Sequence, residues 1–272
     1  MKLISLNICA GEQTESLVKF ITESAETADI FCFQEVVKSD DAELIKKHPR
    51  VNIFSIIQSA LPDFSVSFTP ISDARSPIYF QNNVFYCAIG LATFVRKSFL
   101  IKNTQEIILC KIPKKAAQED VRYDLLTIKM LLLKILGEKG VFMVGNVHGI
   151  AYPGSKMDTK PRLTQSRNII SALKLFSGPK IVTGDFNLLP NTRSIALLEE
   201  AELRNLIKEY GIKTTRGSLV KKLHPEYGLG KNNFQEFADY MFISRDISPR
   251  NFLVPDIPVS DHLPLIFEFE FS

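Results

Sequence analysis

The sequence predicts an α/β fold in which mixed β-sheets pack face to face and helices cover their outer sides. Three observations support this class. Short strand-like runs alternate with helix-like segments, the strands outnumber the helices, and hairpin-like pairs occur beside strands that a helix separates. No internal repeat and no linker rich in proline, glycine or serine divides the 272 residues, so residues 1–272 are expected to form one domain.

The strands are predicted from short apolar or alternating runs. Residues 64–68, Phe-Ser-Val-Ser-Phe, have the alternation that is typical of a half-buried strand. Gly137 and Gly140 favour a hairpin between the sixth and seventh predicted strands. In chain order, the predicted strands are residues 3–8, 30–34, 64–68, 84–95, 106–112, 123–133, 141–148, 180–183, 240–244 and 264–271.

The helices are predicted from apolar residues at helical spacing. They are residues 14–28, 52–61, 162–176 and 192–201, and Thr14 is expected to be the N-cap of the first. Arg162, Gln165 and Arg167 are expected on the wet surface of the third helix, with substrate contact as the alternative. Four long loops connect the elements and are typical places for substrate binding: residues 72–83, 113–122, 149–161 and 216–234.

Composition and charge exclude several classes of protein. With 45% hydrophobic and 23% charged residues, the chain is not disordered. The net charge of only +3 excludes a broad basic surface, so a nucleic-acid site would have to be local. No apolar run is long enough for a membrane-spanning helix. Because there is no secretory signal and no Asn-x-Ser/Thr sequon, a cytoplasmic location is expected.

The four cysteines are expected to be reduced thiols in the core. They lie far apart in apolar stretches and form no Cys-x-x-Cys pair, which argues against a structural zinc site: Cys9, Cys32, Cys87 and Cys110.

Polar residues interrupt or end apolar strands at six places, where packing gives no reason for them. Each alone is ordinarily a turn former, a helix cap or a half-buried side chain. Strand ends can converge on one rim of a sheet system, and the resulting oxygen-rich cluster would suit Mg²⁺ or Mn²⁺ rather than zinc. The six places are Asn7, Glu35, His148, Asp185 with Asn187, Asp239, and Asp261 with His262.

Short motifs that contain these residues resemble the endonuclease/exonuclease/phosphatase superfamily of metal-dependent hydrolases. They occur in the family's order from residue 6 to residue 265, so the resemblance covers nearly the whole chain. The motifs are Leu6-Asn7, Phe33-Gln34-Glu35-Val36, Asn146-Val147-His148, Gly184-Asp185-Phe186-Asn187, Asp239-Tyr240-Met241-Phe242-Ile243-Ser244 and Ser260-Asp261-His262-Leu263-Pro264-Leu265.

The resemblance implies a deoxyribonuclease-I-like fold, a four-layer α/β/β/α sandwich of two mixed sheets with the site at one rim. It also implies that Glu35 is the principal Mg²⁺ ligand, helped by Asn7 and Asp261, with Mn²⁺ as the other suitable metal. The implied reaction is in-line hydrolysis of a phosphoester.

The same resemblance implies roles for the remaining motif residues. Asp185 would polarise the attacking water, and Asn187 would steady the phosphate. His262, oriented by Asp239, would contact the scissile phosphoryl oxygen, and His148 would be a second histidine that faces the phosphate.

Two departures from the family pattern bear on the branch. Cys9 stands where nucleases of the group often keep Asp or an aromatic residue, which removes a second acidic ligand there. His148 stands where the abasic-site endonucleases usually carry Tyr, which argues against that branch.

Weaker candidates lie outside the motifs. Thr214, Thr215 and Arg216 form a possible phosphate-binding group in a loop, and a solvated turn is the alternative. The basic pairs at residues 114–115 and 221–222 are candidates for contact with a nucleic-acid backbone, and solvated charges are the alternative.

Three hypotheses on function follow. The first is a monomeric Mg²⁺-dependent phosphodiesterase or nuclease that acts on nucleic acid. The second is a phosphatase or phosphodiesterase of a small phosphoester or a phospholipid head group. The third, disfavoured because every expected catalytic residue type is present, is a non-catalytic scaffold with the same fold. Because tryptophan is absent and the net charge is small, composition gives nucleic acid no strong support.

Overall fold

The computed structural model describes residues 1–71, 76–80, 83–113, 125–152, 154–220 and 235–271. The strands among them are β1 (Lys2–Asn7), β2 (Ile30–Lys38), β3 (Phe64–Pro70), β4 (Ser76–Phe80), β5 (Asn83–Arg96), β6 (Leu100–Pro113), β7 (Leu125–Gly137), β8 (Gly140–His148), β9 (Lys180–Asp185), β10 (Arg204–Asn205), β11 (Asp239–Ile243), β12 (Ile247–Leu253) and β13 (Leu265–Phe271). The helices are α1 (Thr14–Ser24), α2 (Ala42–Lys47), α3 (Ile53–Ala60), α4 (Lys160–Lys174), α5 (Arg193–Glu200) and α6 (Leu206–Glu209).

The strands form two mixed sheets, as the sequence predicts. In the described residues the first sheet has the order β12-β13-β1-β2-β5-β3, and β4 also pairs with β5. The second has the order β10-β11-β9-β8-β7-β6. Each sheet contains one parallel pair, β1 with β2 and β8 with β9, among antiparallel neighbours. The predicted hairpin is confirmed, because β7 and β8 pair up to Gly137 opposite Gly140.

Alternating side chains on the first sheet supply two apolar layers. Leu3 and Cys32 point to the cluster that fills the space between the sheets and extends to α4 and α5. Ile4 and Phe31, their neighbours along the strands, belong to the cluster that packs against α1 and α3. This alternation is the two-residue period of a strand buried on both faces. The result is the expected four-layer α/β/β/α sandwich.

A buried asparagine links the two sheets through polar contacts. Asn146 of β8 donates from Nδ2 to the carbonyl oxygens of Phe33 and Ala92, each at 3.1 Å, and both carbonyls belong to the first sheet. Its Oδ1 accepts from Gln34 Nε2 at 2.7 Å. Because buried polar groups are costly when unpaired, these bonds favour one alignment of β8 on β2 and β5.

Three local expectations are corrected. Thr14 is the first residue of α1 and not its N-cap, which is Gln13. The Thr14 hydroxyl donates to the carbonyl of Gly11 at 2.6 Å and does not cap the helix. Arg162 and Gln165 are fully buried instead of lying on a wet helix surface, because they bind backbone groups of the preceding loop.

Other expectations on composition have mixed outcomes. All four cysteines are free thiols, and Cys9 is only partly buried, beside the predicted site. Among the helices in the described residues, none combines the length and apolarity needed to cross a membrane. The basic pairs at residues 114–115 and 221–222 lie outside the described residues.

Candidate active site

Strand register alone brings three of the predicted residues side by side. Parallel pairing of β8 with β9 places His148 opposite Asp185, and antiparallel pairing of β11 with β9 places Asp239 on the other side of Asp185. Gly184 permits this approach: its φ is +134°, and a Cβ there would lie 2.1 Å from the carbonyl oxygen of Val147. Asp185 is therefore the centre of the rim of the second sheet.

The first sheet contributes Asn7 and Glu35 from its central parallel pair. Asn7 ends β1, and Glu35 lies where the pairing of β2 with β5 shifts register between Phe33 and Val36. Glu35 also has a left-handed φ of 56°. A register shift of this kind changes the direction of a side chain that would otherwise alternate with its neighbours along the strand. Here the shift occurs at Glu35, whose carboxylate lies at the rim of the sheet.

Asn7 connects the two sheets at the site. Its Nδ2 donates to Glu35 Oε1 at 2.9 Å and to Asp185 Oδ2 at 3.0 Å. His148 Nε2 lies 3.6 Å from the same Glu35 oxygen and 3.7 Å from the same Asp185 oxygen. Carboxylates from both sheets thus face one another across a single amide and a single imidazole.

This group of donors fits a divalent metal ion. Glu35, His148 and Asp185 each offer a ligand atom, and these atoms lie within 4.8 Å of one another. Burial and the charges of Asp261 and Glu35 raise the pKa of the nearby Cys9 thiol. A hard donor set without thiolate suits Mg²⁺ or Mn²⁺ better than zinc.

His262 and Asp239 form a buried pair on the opposite side of Asp185. His262 Nδ1 lies 2.8 Å from Asp239 Oδ2, and His262 Nε2 lies 3.8 Å from Asp185 Oδ2. Burial and the Arg216 guanidinium oppose a charged imidazole, but the carboxylate of Asp239 outweighs them and raises the pKa of His262. The pair therefore presents Nε2 towards Asp185 with its protonated form favoured.

Asp185 stays a carboxylate despite complete burial. Burial alone would raise its pKa, but the charges of His262 and His148 hold the pKa below the ordinary value. Oδ1 accepts the backbone N–H of Asn187 at 2.9 Å, which fixes the orientation of the carboxylate. Asn187, like Glu35, has a left-handed φ, here 52°, so two of the predicted residues have unusual backbone conformations.

Asp261 lies on the Arg216 side of the site. Its Oδ2 accepts from Arg216 Nη2 at 2.6 Å, and Arg216 Nη1 also contacts His262 Nε2. Of the three weak loop candidates, Arg216 is thus the one whose side chain contacts the side chains of the predicted residues Asp261 and His262. A metal-ligand role for Asp261 stays a prediction, as does the same role for Asn7.

The two threonines before Arg216 bind the backbone. The buried Thr215 hydroxyl accepts the N–H groups of Ala238 and Asp239, at 3.1 and 3.2 Å. Thr214 Oγ1 accepts from Arg216 N at 3.0 Å and donates to the carbonyl of Glu236 at 2.9 Å. Both residues support the segment that leads into Asp239, and their contact with substrate stays a prediction.

Lys156 is a further charged residue beside the site that no sequence motif indicates. It belongs to the predicted long loop of residues 149–161, and its Nζ donates to the carbonyl of Phe237 at 3.3 Å. The carboxylates of Asp185, Asp239 and Asp261 all act electrostatically on its ammonium. The only signal in the sequence was its place in a long loop directly after His148.

This rim of carboxylates and histidines on two packed mixed sheets defines a phosphoester hydrolase. The sequence model of the Endonuclease/Exonuclease/phosphatase family matches residues 4–262, and the chain belongs to that family. No curated protein matches the sequence.

Solved structures of low sequence identity share the fold. An endonuclease/exonuclease/phosphatase family protein from Leptotrichia buccalis is 18% identical with a TM-score of 0.68, and the match covers 100% of both chains. A mannosyl-6-phosphatase from Bacteroides thetaiotaomicron is 16% identical with a TM-score of 0.68 and the same coverage. The human Nocturnin catalytic domain with bound sulfate is 19% identical with a TM-score of 0.62, covering 100% of this chain and 93% of that one.

Proposed function

We propose that this chain is a Mg²⁺-dependent phosphodiesterase that hydrolyses nucleic acid by in-line attack of water. The observation that carries the proposal is the position of the Asp185 carboxylate between two imidazole Nε2 atoms, at 3.7 Å from His148 and 3.8 Å from His262. A base flanked by two proton donors matches the needs of phosphoester cleavage.

Asp185 accepts the proton of the attacking water. Its lowered pKa keeps it ionised near neutral pH, and the N–H of Asn187 holds one oxygen while the other faces the histidines. The Asn187 side chain steadies the phosphate, as the family resemblance implies.

His262 donates a hydrogen bond to a phosphoryl oxygen. Asp239 holds Nδ1 and favours the charged ring. Because Arg216 Nη1 and the protonated Nε2 are both donors and lie against each other, the phosphoryl oxygen would accept from Nε2 at a position between the two groups. His148 faces the same space from β8 and supplies the second contact, so that one histidine serves the leaving oxygen and the other a non-bridging oxygen.

Glu35 would hold the metal ion, with Asn7 and Asp261 as the further ligands that the family resemblance implies. The donor group that the structure brings together, Glu35, His148 and Asp185, shares Glu35 with this set. When bound, the ion supplies positive charge that stabilises the negative charge developing on the phosphoryl oxygens. Without a cation at this place, the carboxylates of Glu35 and Asp185 face each other across Asn7 and His148 alone.

A small phosphoester is the second candidate substrate. Four of the proposed groups are deeply recessed, since Asp185, Asp239, Asp261 and His262 are all at most 4% exposed. Such a recess admits a phosphoryl group that projects from its substrate, and one structural neighbour is named a mannosyl-6-phosphatase. A phospholipid head group belongs to the same chemical class.

A substrate panel in Mg²⁺ tests the proposal. It contains plasmid, single-stranded DNA, RNA, abasic duplex, sphingomyelin, inositol phosphates and p-nitrophenyl esters, each with and without chelator. We expect hydrolysis of nucleic acid that chelator abolishes and Mg²⁺ or Mn²⁺ restores, without a strong preference for the abasic duplex. Asp185→Asn is the matched inactive control. Full activity in excess chelator would contradict the metal assignment, and turnover of small esters alone would select the second candidate.

Monomeric state, a single domain and a cytoplasmic location complete the proposal. Size measurement in solution and localisation of the tagged chain test them.

A further inference from the structure

Lys156 lies between the segment that follows Asp185 and Asn187 and the segment that leads into Asp239. Its carbonyl oxygen accepts from the N–H of Leu189 at 3.0 Å, and Leu189 follows Asn187 closely along the chain. Its Nζ donates to the carbonyl of Phe237, two residues before Asp239. The lysine therefore contacts both segments with its backbone and its side chain.

The loop around Lys156 is held on several sides. The buried Arg162 donates to the carbonyl of Met157 at 2.6 Å, and Gln235 donates to the carbonyl of Ser155 at 3.0 Å. The Asp158 carboxylate accepts the N–H groups of Arg193 and Ser194. Lys156 itself has a left-handed φ of 54°, which costs a non-glycine residue free energy. The surroundings thus impose a defined position on this side chain.

The ammonium of Lys156 is placed among charges of the site. Asp185, Asp239 and Asp261 attract it, and Arg216 repels it. An ammonium has three N–H bonds, and in the described part of the chain its hydrogen-bond acceptor is Phe237 O. Two N–H bonds remain for a ligand, and burial, which lowers the pKa of Lys156, strengthens any contact made there.

We propose that Lys156 is a substrate-binding residue whose ammonium donates to a non-bridging oxygen of the phosphoryl group. The inference rests on the proposed phosphoester hydrolysis and adds a residue that no family motif contains. Arg216 donates to Asp261, whereas Lys156 brings a cation from the loop of residues 149–161. The ligand class is a tetrahedral oxyanion, from either a phosphomonoester or a phosphodiester.

Three variants separate charge from a structural role. Lys156→Met removes the charge and the donor, Lys156→Gln keeps an N–H donor for Phe237 O without the charge, and Lys156→Arg keeps the charge. Lys160→Met is the matched control, because Lys160 is exposed and lies at the start of α4. Each is assayed on p-nitrophenyl phosphate and bis-p-nitrophenyl phosphate, with orthophosphate as competitive inhibitor.

We expect kcat/KM to fall at least about tenfold in the Met and Gln variants, with orthophosphate inhibition weakened by a similar factor. Lys156→Arg keeps most of the activity, and Lys160→Met stays within about twofold of the wild type, as a distant surface charge should. A larger loss on the monoester, which carries the greater charge, identifies a terminal phosphate as the ligand, and equal losses identify a diester.

Two outcomes would overturn the inference. One is a Gln variant with wild-type kcat/KM and orthophosphate inhibition, since the lysine would then serve only Phe237 O. The other is unchanged orthophosphate binding in Lys156→Met, measured by calorimetry. If the wild type hydrolyses no ester, the proposed function fails, but calorimetry with orthophosphate still tests the role of Lys156. Orthophosphate binding by the wild type that Lys156→Met abolishes or weakens supports the role. No orthophosphate binding by the wild type, or equal binding by the wild type and Lys156→Met, contradicts it.

Discussion

At the scale of single residues, the site depends on side chains whose properties their neighbours determine. His262 is useful because Asp239 holds its Nδ1 and favours the charged ring. Asp185 is useful because two histidines keep its carboxylate ionised despite burial. Neither property belongs to the isolated amino acid, so substitutions of the neighbours should also affect catalysis.

We predict that His262→Ala lowers kcat/KM by about 10²–10⁴, and that Asp239→Asn causes a smaller loss of the same kind. If Asp239 acts only through His262, the double variant is no slower than His262→Ala. Steady-state kinetics measures kcat/KM for each variant, and its melting temperature shows whether the fold is intact. Losses that multiply in the double variant would show that the two residues act separately.

At most positions an alanine variant is more stable than a glycine variant, and at position 35 we expect the opposite order. Because Glu35 has a φ of 56°, Glu35→Gly should be more stable than Glu35→Ala by about 1 kcal/mol. The exposed Ser65 of β3 is the control, where the Ala variant should be the more stable one. Urea unfolding in chelator measures both pairs, and the same order at both positions would refute the assigned strain.

At the scale of elements, α5 is capped twice. Thr192, the N-cap residue directly before the helix, accepts the N–H of Ile195. Asp158, in the loop that carries Lys156, accepts the N–H groups of Arg193 and Ser194. A carboxylate at a helix N-terminus satisfies unpaired donors and interacts favourably with the helix dipole. The cap therefore joins α5 to the loop beside the active site.

Asp158 should contribute stability that depends on pH. Burial opposes its ionisation, but the hydrogen bonds from Ser194 and Arg193 outweigh burial and lower its pKa. A lowered folded-state pKa gives stability that is present above the unfolded pKa, about 3.9, and is lost as the pH falls through the folded value.

Asp158→Asn should therefore lower the free energy of unfolding by about 1 kcal/mol at pH 7, with a difference that shrinks below about pH 4. The measurement is denaturant unfolding across pH in chelator, with the exposed Asp40→Asn as control. A difference that does not change with pH would assign the effect to something other than the charge of the cap.

At the scale of the whole molecule, the sequence predicted what short-range patterns encode. The central strands are apolar enough to identify. A carboxylate that ends or interrupts such a strand has no packing explanation, so Glu35 and Asp185 were predicted as site residues. The edge strand β12 escaped because Pro249 and Arg250 interrupt its alternation, which an edge position with a register shift tolerates.

Residues whose partners are distant in the chain could not be predicted in this way. Arg162 has the pattern of a surface residue, yet it is fully buried because three carbonyl oxygens of the preceding loop surround it. Lys156 depends on Phe237, 81 residues away along the chain. The carbonyl oxygens that accept from Arg162 and Lys156 come close to these side chains only in the folded chain.

The bonds of Asn146 to Phe33, Ala92 and Gln34 have a consequence for states that are only partly folded. Asn7 and Glu35 belong to one sheet, and His148, Asp185 and Asp239 belong to the other, so neither half contains all residues of the candidate site. An expanded intermediate that kept every strand but let the sheets slide would retain its circular dichroism and lose all turnover. Enzymatic turnover would thus be detected only when the two sheets are packed in their native alignment. It would therefore be a more stringent test of native tertiary structure than circular dichroism, which detects secondary structure.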